Sequence, residues 1–273
     1  MLSLRNYLRY FLLVLGIVIC YGGGKAYREE PQVKRNIVVA TWNIGHFANG
    51  NRENSLISPI DYNMKLSEYR KLVYTELSPD VICVNEYSKI FGKDRKGNEK
   101  TAHTVLFNGF KSRIIGDQKW YSCNAIFSNC RIKNLKKNDF DCCQSYLKDN
   151  PKVSQYYYIS ADLYIGCEEI KMVCLHLYPW DNKIRQEQMR ELIEKYKTSK
   201  RVLICGDLNT TDFSLFTESG FSIANDGSII TFPIKKMALD NIIVKGLKIC
   251  DVRAFKTNLS DHYPLVCNII CED

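Results

Sequence analysis

Val202-Leu203-Ile204-Cys205-Gly206-Asp207-Leu208-Asn209 is the stretch on which the fold turns. Three aliphatic residues and a cysteine acting as a small hydrophobe read as a buried strand. The run then passes directly into Gly-Asp-Leu-Asn. A carboxylate inside an apolar layer needs a partner, so Asp207 belongs where the strand ends and a sheet rim opens.

The same ending recurs along the chain. Ile37-Val38-Val39-Ala40-Thr41-Trp42 runs into Asn43, and Val81-Ile82-Cys83-Val84-Asn85 runs into Glu86. Met172-Val173-Cys174-Leu175 runs into His176, and Asn258-Leu259-Ser260 presents Asp261-His262 just before a last apolar strand. Taken singly, each polar residue is explained by a turn or a cap. Taken together, polar strand ends in one domain predict a shared cleft.

Further elements fill the gaps. Met64–Leu77 is a predicted helix with Leu66, Tyr69, Leu72, Val73 and Leu77 on one face. Lys183–Lys197 is a second, with Ile184, Leu192, Ile193 and Tyr196 inward. Phe110–Ile115, Ala125–Phe127, Ile229–Phe232, Leu239–Val244, Leu247–Val252 and Pro264–Ile270 read as strands. Tyr156–Ile165 and Ile170–Leu177 read as a hairpin turning near Gly166, and Arg131–Asn150 reads as a charged loop. Many strands with few helices predict an α/β (α+β) fold, with two sheets packed face to face rather than one doubly wound sheet.

The chain has 273 residues, of which 45% are apolar and 25% charged, with no repeat or low-complexity tract. This suits one globular domain after a targeting segment. Arg5 and Arg9 precede an apolar run from Tyr10 to Tyr21, followed by Gly22-Gly23-Gly24-Lys25-Ala26. That is the pattern of a secretory signal, and the run is short against the ~20 residues of a membrane span. Residues 1–26 are therefore expected to be a signal peptide or N-terminal membrane anchor, and the protein to be exported: secreted, periplasmic or held at a membrane facing outward. Net charge is +8, and +5 without the N-terminal Arg5, Arg9 and Lys25, a mild bias toward anionic partners. Of 12 cysteines, Cys83, Cys174, Cys205 and Cys267 sit in apolar strands. One or two bridges remain open among Cys123, Cys130, Cys142, Cys143 and Cys167, and with no CxxC pair a structural zinc site is not expected.

In their order, Thr41-Trp42-Asn43, Asn85-Glu86, His176-Leu177, Gly206-Asp207-Leu208-Asn209, Leu239-Asp240-Asn241-Ile242-Ile243-Val244 and Ser260-Asp261-His262-Tyr263-Pro264-Leu265 resemble the endonuclease/exonuclease/phosphatase superfamily. That superfamily includes deoxyribonuclease I-like nucleases and neutral sphingomyelinases. Asn124-Ala125-Ile126-Phe127-Ser128, Arg185 and Gln188 agree more softly. The resemblance covers residues 36–271. It implies a four-layered α/β/β/α sandwich and a metal-dependent phosphoester hydrolase.

The resemblance also implies roles. Glu86 would be the main Mg²⁺ ligand, with Asn43 and Asp261 beside it and Mn²⁺ or Ca²⁺ as alternatives. His262 would act as general base or transition-state donor, oriented by Asp240. Asp207 would position the attacking water, Asn209 would bond a phosphate oxygen, and His176 would stabilise the phosphate or the leaving group. Deoxyribonuclease I-like enzymes pair the residue at the His176 position with a mid-chain glutamate, and Glu99 is the acid here with a claim to that place.

The substrate stays open between nucleic acid and a phospholipid headgroup or inositol phosphate, and a catalytically silent binding module is the alternative of another class. A lipid enzyme would expose an apolar hairpin, for which Tyr156-Tyr157-Tyr158 and Tyr178-Pro179-Trp180 are candidates. A nuclease would flank its cleft with cations such as Lys93, Arg95, Lys96 and Lys100. A monomer is expected.

Overall fold

A computed structural model describes residues 36–47, 60–117 and 123–271. The predicted signal or anchor at residues 1–26 lies outside them. No helix among the described residues is long and apolar enough to cross a membrane.

Strand β1 (Asn36–Asn43) leads to helix α1 (Tyr62–Lys71), which continues as a π-helical stretch, Leu72–Leu77. Ser78 ends it in the left-handed region, its N–H bonding the carbonyl of Val73. Strands β2 (Val81–Asn85), β3 (Ile90–Lys93) and β4 (Glu99–Thr101) follow, then the short α2 (Ala102–Val105). Strands β5 (Ser112–Ile115), β6 (Ala125–Ser128), β7 (Arg131–Asp139), β8 (Tyr157–Ile165) and β9 (Glu168–His176) precede α3 (Asn182–Tyr196). Strand β10 (Val202–Asp207), helix α4 (Ser214–Glu218) and strands β11 (Ser222–Ile223), β12 (Asp240–Lys245), β13 (Lys248–Ala254) and β14 (Leu265–Ile270) complete the chain.

The strands form two six-stranded sheets, β13-β14-β1-β2-β6-β5 and β11-β12-β10-β9-β8-β7, plus the β3-β4 hairpin. Each large sheet is built around one parallel pair, β1/β2 or β9/β10, with antiparallel neighbours outside it. The inner faces meet through Val39, Cys83 and Ile126 of the first sheet and Met172, Cys174, Leu203 and Ile242 of the second. On the outer face of the first sheet Trp42, Val84 and Phe127 pack under Tyr69, Leu72 and Val73. On that of the second, Val173, Leu175 and Ile204 pack under Ile184, Met189 and Leu192 of α3. This is the expected four-layered α/β/β/α sandwich. The central strands read as unbroken apolar runs because both of their faces are buried.

Helix α3 begins where Asp181 caps it, accepting from the N–H groups of Lys183 and Ile184 at 2.8 and 3.3 Å. Gly206 allows β10 to pass close to β9: a Cβ there would lie 1.9 Å from the Leu175 carbonyl oxygen, at a φ of +151°.

Several expectations need correction. Arg131–Asn150 is not a loop: its first nine residues are β7, an edge strand paired with β8 alone. Most of its side chains stand in solvent, so it carries no apolar period to read. Ile229–Phe232 is not a strand; only an isolated bridge joins Phe232 to Met237 across a turn. The Thr231 hydroxyl instead accepts the N–H groups of Leu239 and Asp240, each at 3.0 Å. All eleven described cysteines are free thiols, so the bridges considered among Cys123, Cys130, Cys142, Cys143 and Cys167 are not formed. Cys123 belongs to the first outer core, Cys143 accepts from Gln188 in the second, and Cys167 is exposed in the β8–β9 turn.

Candidate active site

The two parallel pairs end at the same rim. Asn43 lies opposite Asn85 at the end of β1/β2, and His176 opposite Asp207 at the end of β9/β10. Strand β12 runs the other way, so its first residue, Asp240, pairs with Asp207. Register thus gathers two polar groups at the end of one sheet and three at the end of the other, and hydrogen bonds from Asn43 and to Asn85 join the two ends at Asp207.

A two-amide bridge locks the sheets beneath that rim. Asn85 accepts from the Asp207 N–H at 2.9 Å and donates to the Leu175 carbonyl at 2.6 Å and to Asn124 at 2.8 Å. Asn124 donates onward to the Tyr157 carbonyl at 2.7 Å. Both amides are fully buried, where an unpaired polar group would be costly.

Above the bridge, the Asn43 amide nitrogen donates to Asp207 Oδ2 at 3.0 Å and to Glu86 Oε1 at 3.2 Å. Its oxygen accepts from the Gly45 N–H at 3.1 Å. Asp207 Oδ2 also lies 3.5 Å from His176 Nε2 and 3.7 Å from His262 Nε2. His262 Nδ1 contacts Asp240 Oδ2 at 2.8 Å. Burial works against charge on the His262 ring, yet the Asp240 and Asp207 carboxylates outweigh it and push its pKa up to about 10.

Backbone geometry aims two of these groups. Glu86 and Asn209, each just beyond a strand end, adopt left-handed φ angles of 50° and 52°. Non-glycine residues take that region at some cost and concentrate there at functional sites. Asn209 is held by its N–H to Asp207 Oδ1 at 2.9 Å and its amide to the Leu177 carbonyl at 3.0 Å. The Ser260 hydroxyl ties the His262 turn to β1 by donating to the Asn43 carbonyl at 2.7 Å. Asp261 Oδ1 overhangs the same turn, 3.3 Å from where a Cβ on Gly45 would lie.

The cleft over these groups has a volume of about 350 Å³ and is lined by Glu86, His176, Asp207, Asn209, Asp261 and His262, with Arg185 and Lys235 as cations. A model of the endonuclease/exonuclease/phosphatase family matches residues 40–262, a span that contains all eight predicted site residues. The chain belongs to the endonuclease/exonuclease/phosphatase family. Among solved structures it is similar to an endonuclease/exonuclease/phosphatase from Beutenbergia cavernae DSM 12333, with TM-score 0.63, 14% identity and coverage of 87% of this chain and 72% of that one. The human Nocturnin catalytic domain with bound sulfate anion gives TM-score 0.63 at 16% identity, covering 86% and 94%. D. rerio TDP2 complexed with single strand DNA product gives 0.61 at 15%, covering 86% and 98%. At these identities the likeness is one of fold. No curated protein sequence matches the chain.

Within the endonuclease/exonuclease/phosphatase fold, Asn43, Glu86, His176, Asp207, Asn209, Asp240, Asp261 and His262 all gather at the rim. Glu99 does not: it lies on β4, 3.9 Å from Lys93, and the acid beside His176 is Asp207. In the basic loop Lys100 pairs with Asp94 at 2.9 Å and Lys93 with Glu99 at 3.9 Å, and none of its four cations lines the cleft. Tyr157 and Tyr158 are core residues on opposite faces of β8, so no apolar hairpin is exposed there. Sequence reading missed His46, 3.6 Å from Glu86, and the turn that brings Phe232, Lys235 and Met237 to the cleft. His46 stands three residues past Asn43, where the polar strand-end pattern was open to extension. The turn carries no pattern of its own.

Asp207, Asp240 and His262 place donor atoms within 4.8 Å of one another. The Asp240–His262 bond takes up Asp240 Oδ2 and His262 Nδ1, leaving Asp240 Oδ1, His262 Nε2 and Asp207 as the donors of that trio. Glu86 and Asp261 offer carboxylate oxygens at the open side, with Asp207 behind them. That hard, anionic set fits a hard divalent cation better than a soft metal.

Proposed function

We propose that the protein is a metal-dependent phosphodiesterase, in its simplest form a nuclease. The observation that carries this reading is the His262–Asp240 pair, whose second ring nitrogen lies 3.7 Å from the Asp207 oxygen that His176 also approaches, in the cleft that also holds Glu86. A phosphodiester is anionic and its leaving alkoxide is poor, so its hydrolysis needs charge neutralisation, an aligned water and a proton path. Glu86, with Asp261, would hold a divalent cation, which when bound supplies Lewis-acid neutralisation of phosphate charge. Asn43 fixes the Glu86 and Asp207 carboxylates relative to each other through its two N–H groups.

Asp207 accepts a hydrogen bond from the attacking water and aims it. His262 exchanges a proton at Nε2 while Asp240 holds its other nitrogen. His176 Nε2 and Arg185 face the oxygen that gains charge as the ester bond breaks. The test is hydrolysis of a phosphodiester panel with Mg²⁺. Glu86→Ala is expected to lower turnover by about 10³-fold or more and to flatten the Mg²⁺ dependence. A Glu86→Ala variant as active as the parent in EDTA would overturn the assignment.

A further inference from the structure

Trp180 stands at the mouth of the cleft with 57% of its surface exposed. A free indole in solvent would be expected to sample several rotamers, but this one is held. Tyr178 meets it edge to face at 5.2 Å and 77°, and Tyr156 at 5.9 Å and 90°. Tyr156 in turn stands perpendicular to the His176 ring at 5.3 Å. Three aromatic contacts therefore connect Trp180 to the imidazole over Asp207. Arg185 Nη1 secures the loop from behind, donating to the carbonyls of Tyr178 at 3.1 Å and Pro179 at 2.9 Å. On the other side of the site Phe232 lies 4.7 Å from the His262 ring, tilted by 36°.

The proposed catalytic groups thus lie in a cleft lined by three aromatic rings, Tyr156 against His176, Trp180 against Tyr156, and Phe232 against His262. None of the three has a role in moving a proton or holding a cation. A fixed aromatic ring beside a phosphate site binds planar partners at little entropic cost, because its orientation is set before the ligand arrives. Lys152 Nζ lies over the Trp180 ring, 5.8 Å from its centroid, on a long side chain that an incoming base can displace toward its phosphate, and Lys235 lines the cleft.

Resting on the phosphodiesterase reading, we infer that Trp180 is a stacking platform for the base of a nucleotide joined to the scissile phosphate. The substrate class is then a single-stranded nucleic acid or short oligonucleotide. A base paired within a duplex has both faces covered by its neighbours and cannot lie on the indole. An inositol headgroup has no flat ring to stack, and a choline headgroup would meet the indole through its cation alone, so a choline site would not distinguish base-bearing from abasic tetramers.

The experiment compares a tetranucleotide with a tetramer of the same backbone in which every base is replaced by an abasic tetrahydrofuran. Base stacking on an aromatic ring changes affinity by about tenfold or more. The ratio of kcat/KM, base-bearing over abasic, should fall about tenfold in Trp180→Ala, mainly through KM, and be largely retained in Trp180→Phe. In EDTA, the base-bearing tetramer should quench the fluorescence that Trp180→Phe removes, and the abasic tetramer should not. An unchanged ratio, or equal quenching by both tetramers, overturns the platform. So does a Trp180→Ala defect confined to binding of phosphatidylserine vesicles, which would make Trp180 a membrane contact. Quenching by the base-bearing tetramer without hydrolysis of any diester of the panel by the parent protein would overturn the phosphodiesterase reading and leave base stacking on Trp180 standing.

Discussion

The His262–Asp240 contact of 2.8 Å is the geometry that the proposed proton path requires. A ring nitrogen that exchanges protons must exist in the right tautomer and point the right way, and one carboxylate on the opposite nitrogen provides both. Removing the ring removes the proton path, whereas removing Asp240 leaves the ring in place but loosely aimed. His262→Ala is therefore expected to reduce kcat by about 10⁴-fold and Asp240→Ala by about 10²-fold, in single-turnover assays at saturating Mg²⁺. An Asp240→Ala loss equal to that of His262→Ala would mean that Asp240 does more than orient. These residues were legible because each stands beside an apolar run, Asp240 at the start of β12 and His262 just before β14, within an ordered set that resembles the family's. The partner of His176 was not legible: sequence order pointed to Glu99, and only the parallel register of β9 and β10 puts Asp207 there.

At the scale of elements, the long buried strands and the two amphipathic helices were readable because their periods are strong. Edge strand β7 and the 226–239 turn were not, since each is specified by one neighbour or by a few side chain–backbone bonds. Gly206 shows how tightly the central elements are set. Any side chain there meets the Leu175 carbonyl, and that clash can be relieved only by parting β9 from β10. Gly206→Ala is expected to cost about 3 kcal/mol, lowering Tm by about 10 °C in a calorimetric scan. It should also impair activity, because the displaced strands carry His176 and Asp207. A variant melting within 2 °C of the parent would show that the strands yield easily, contrary to the close packing described.

At the scale of the whole molecule, two sheets that each supply half of the site depend on the Asn85–Asn124 bridge for their alignment, and both sheets also have outer edges. Strand β7 borders the second sheet with Arg131, Lys133, Lys136 and Lys137 exposed and a bulge between Lys133 and Lys136. An open edge invites a strand from another copy, and lysines with a bulge are the usual deterrent, because docking would bury charge and break register. The positive charge that disguised β7 as a loop therefore has a colloidal consequence. It is expected to keep concentrated protein from growing edge-to-edge aggregates. Replacing Lys133, Lys136 and Lys137 together with Thr should leave Tm within a few degrees, while light scattering at high concentration shows species far larger than the parent's. Unchanged scattering would mean that another feature of the surface sets the solubility of this chain.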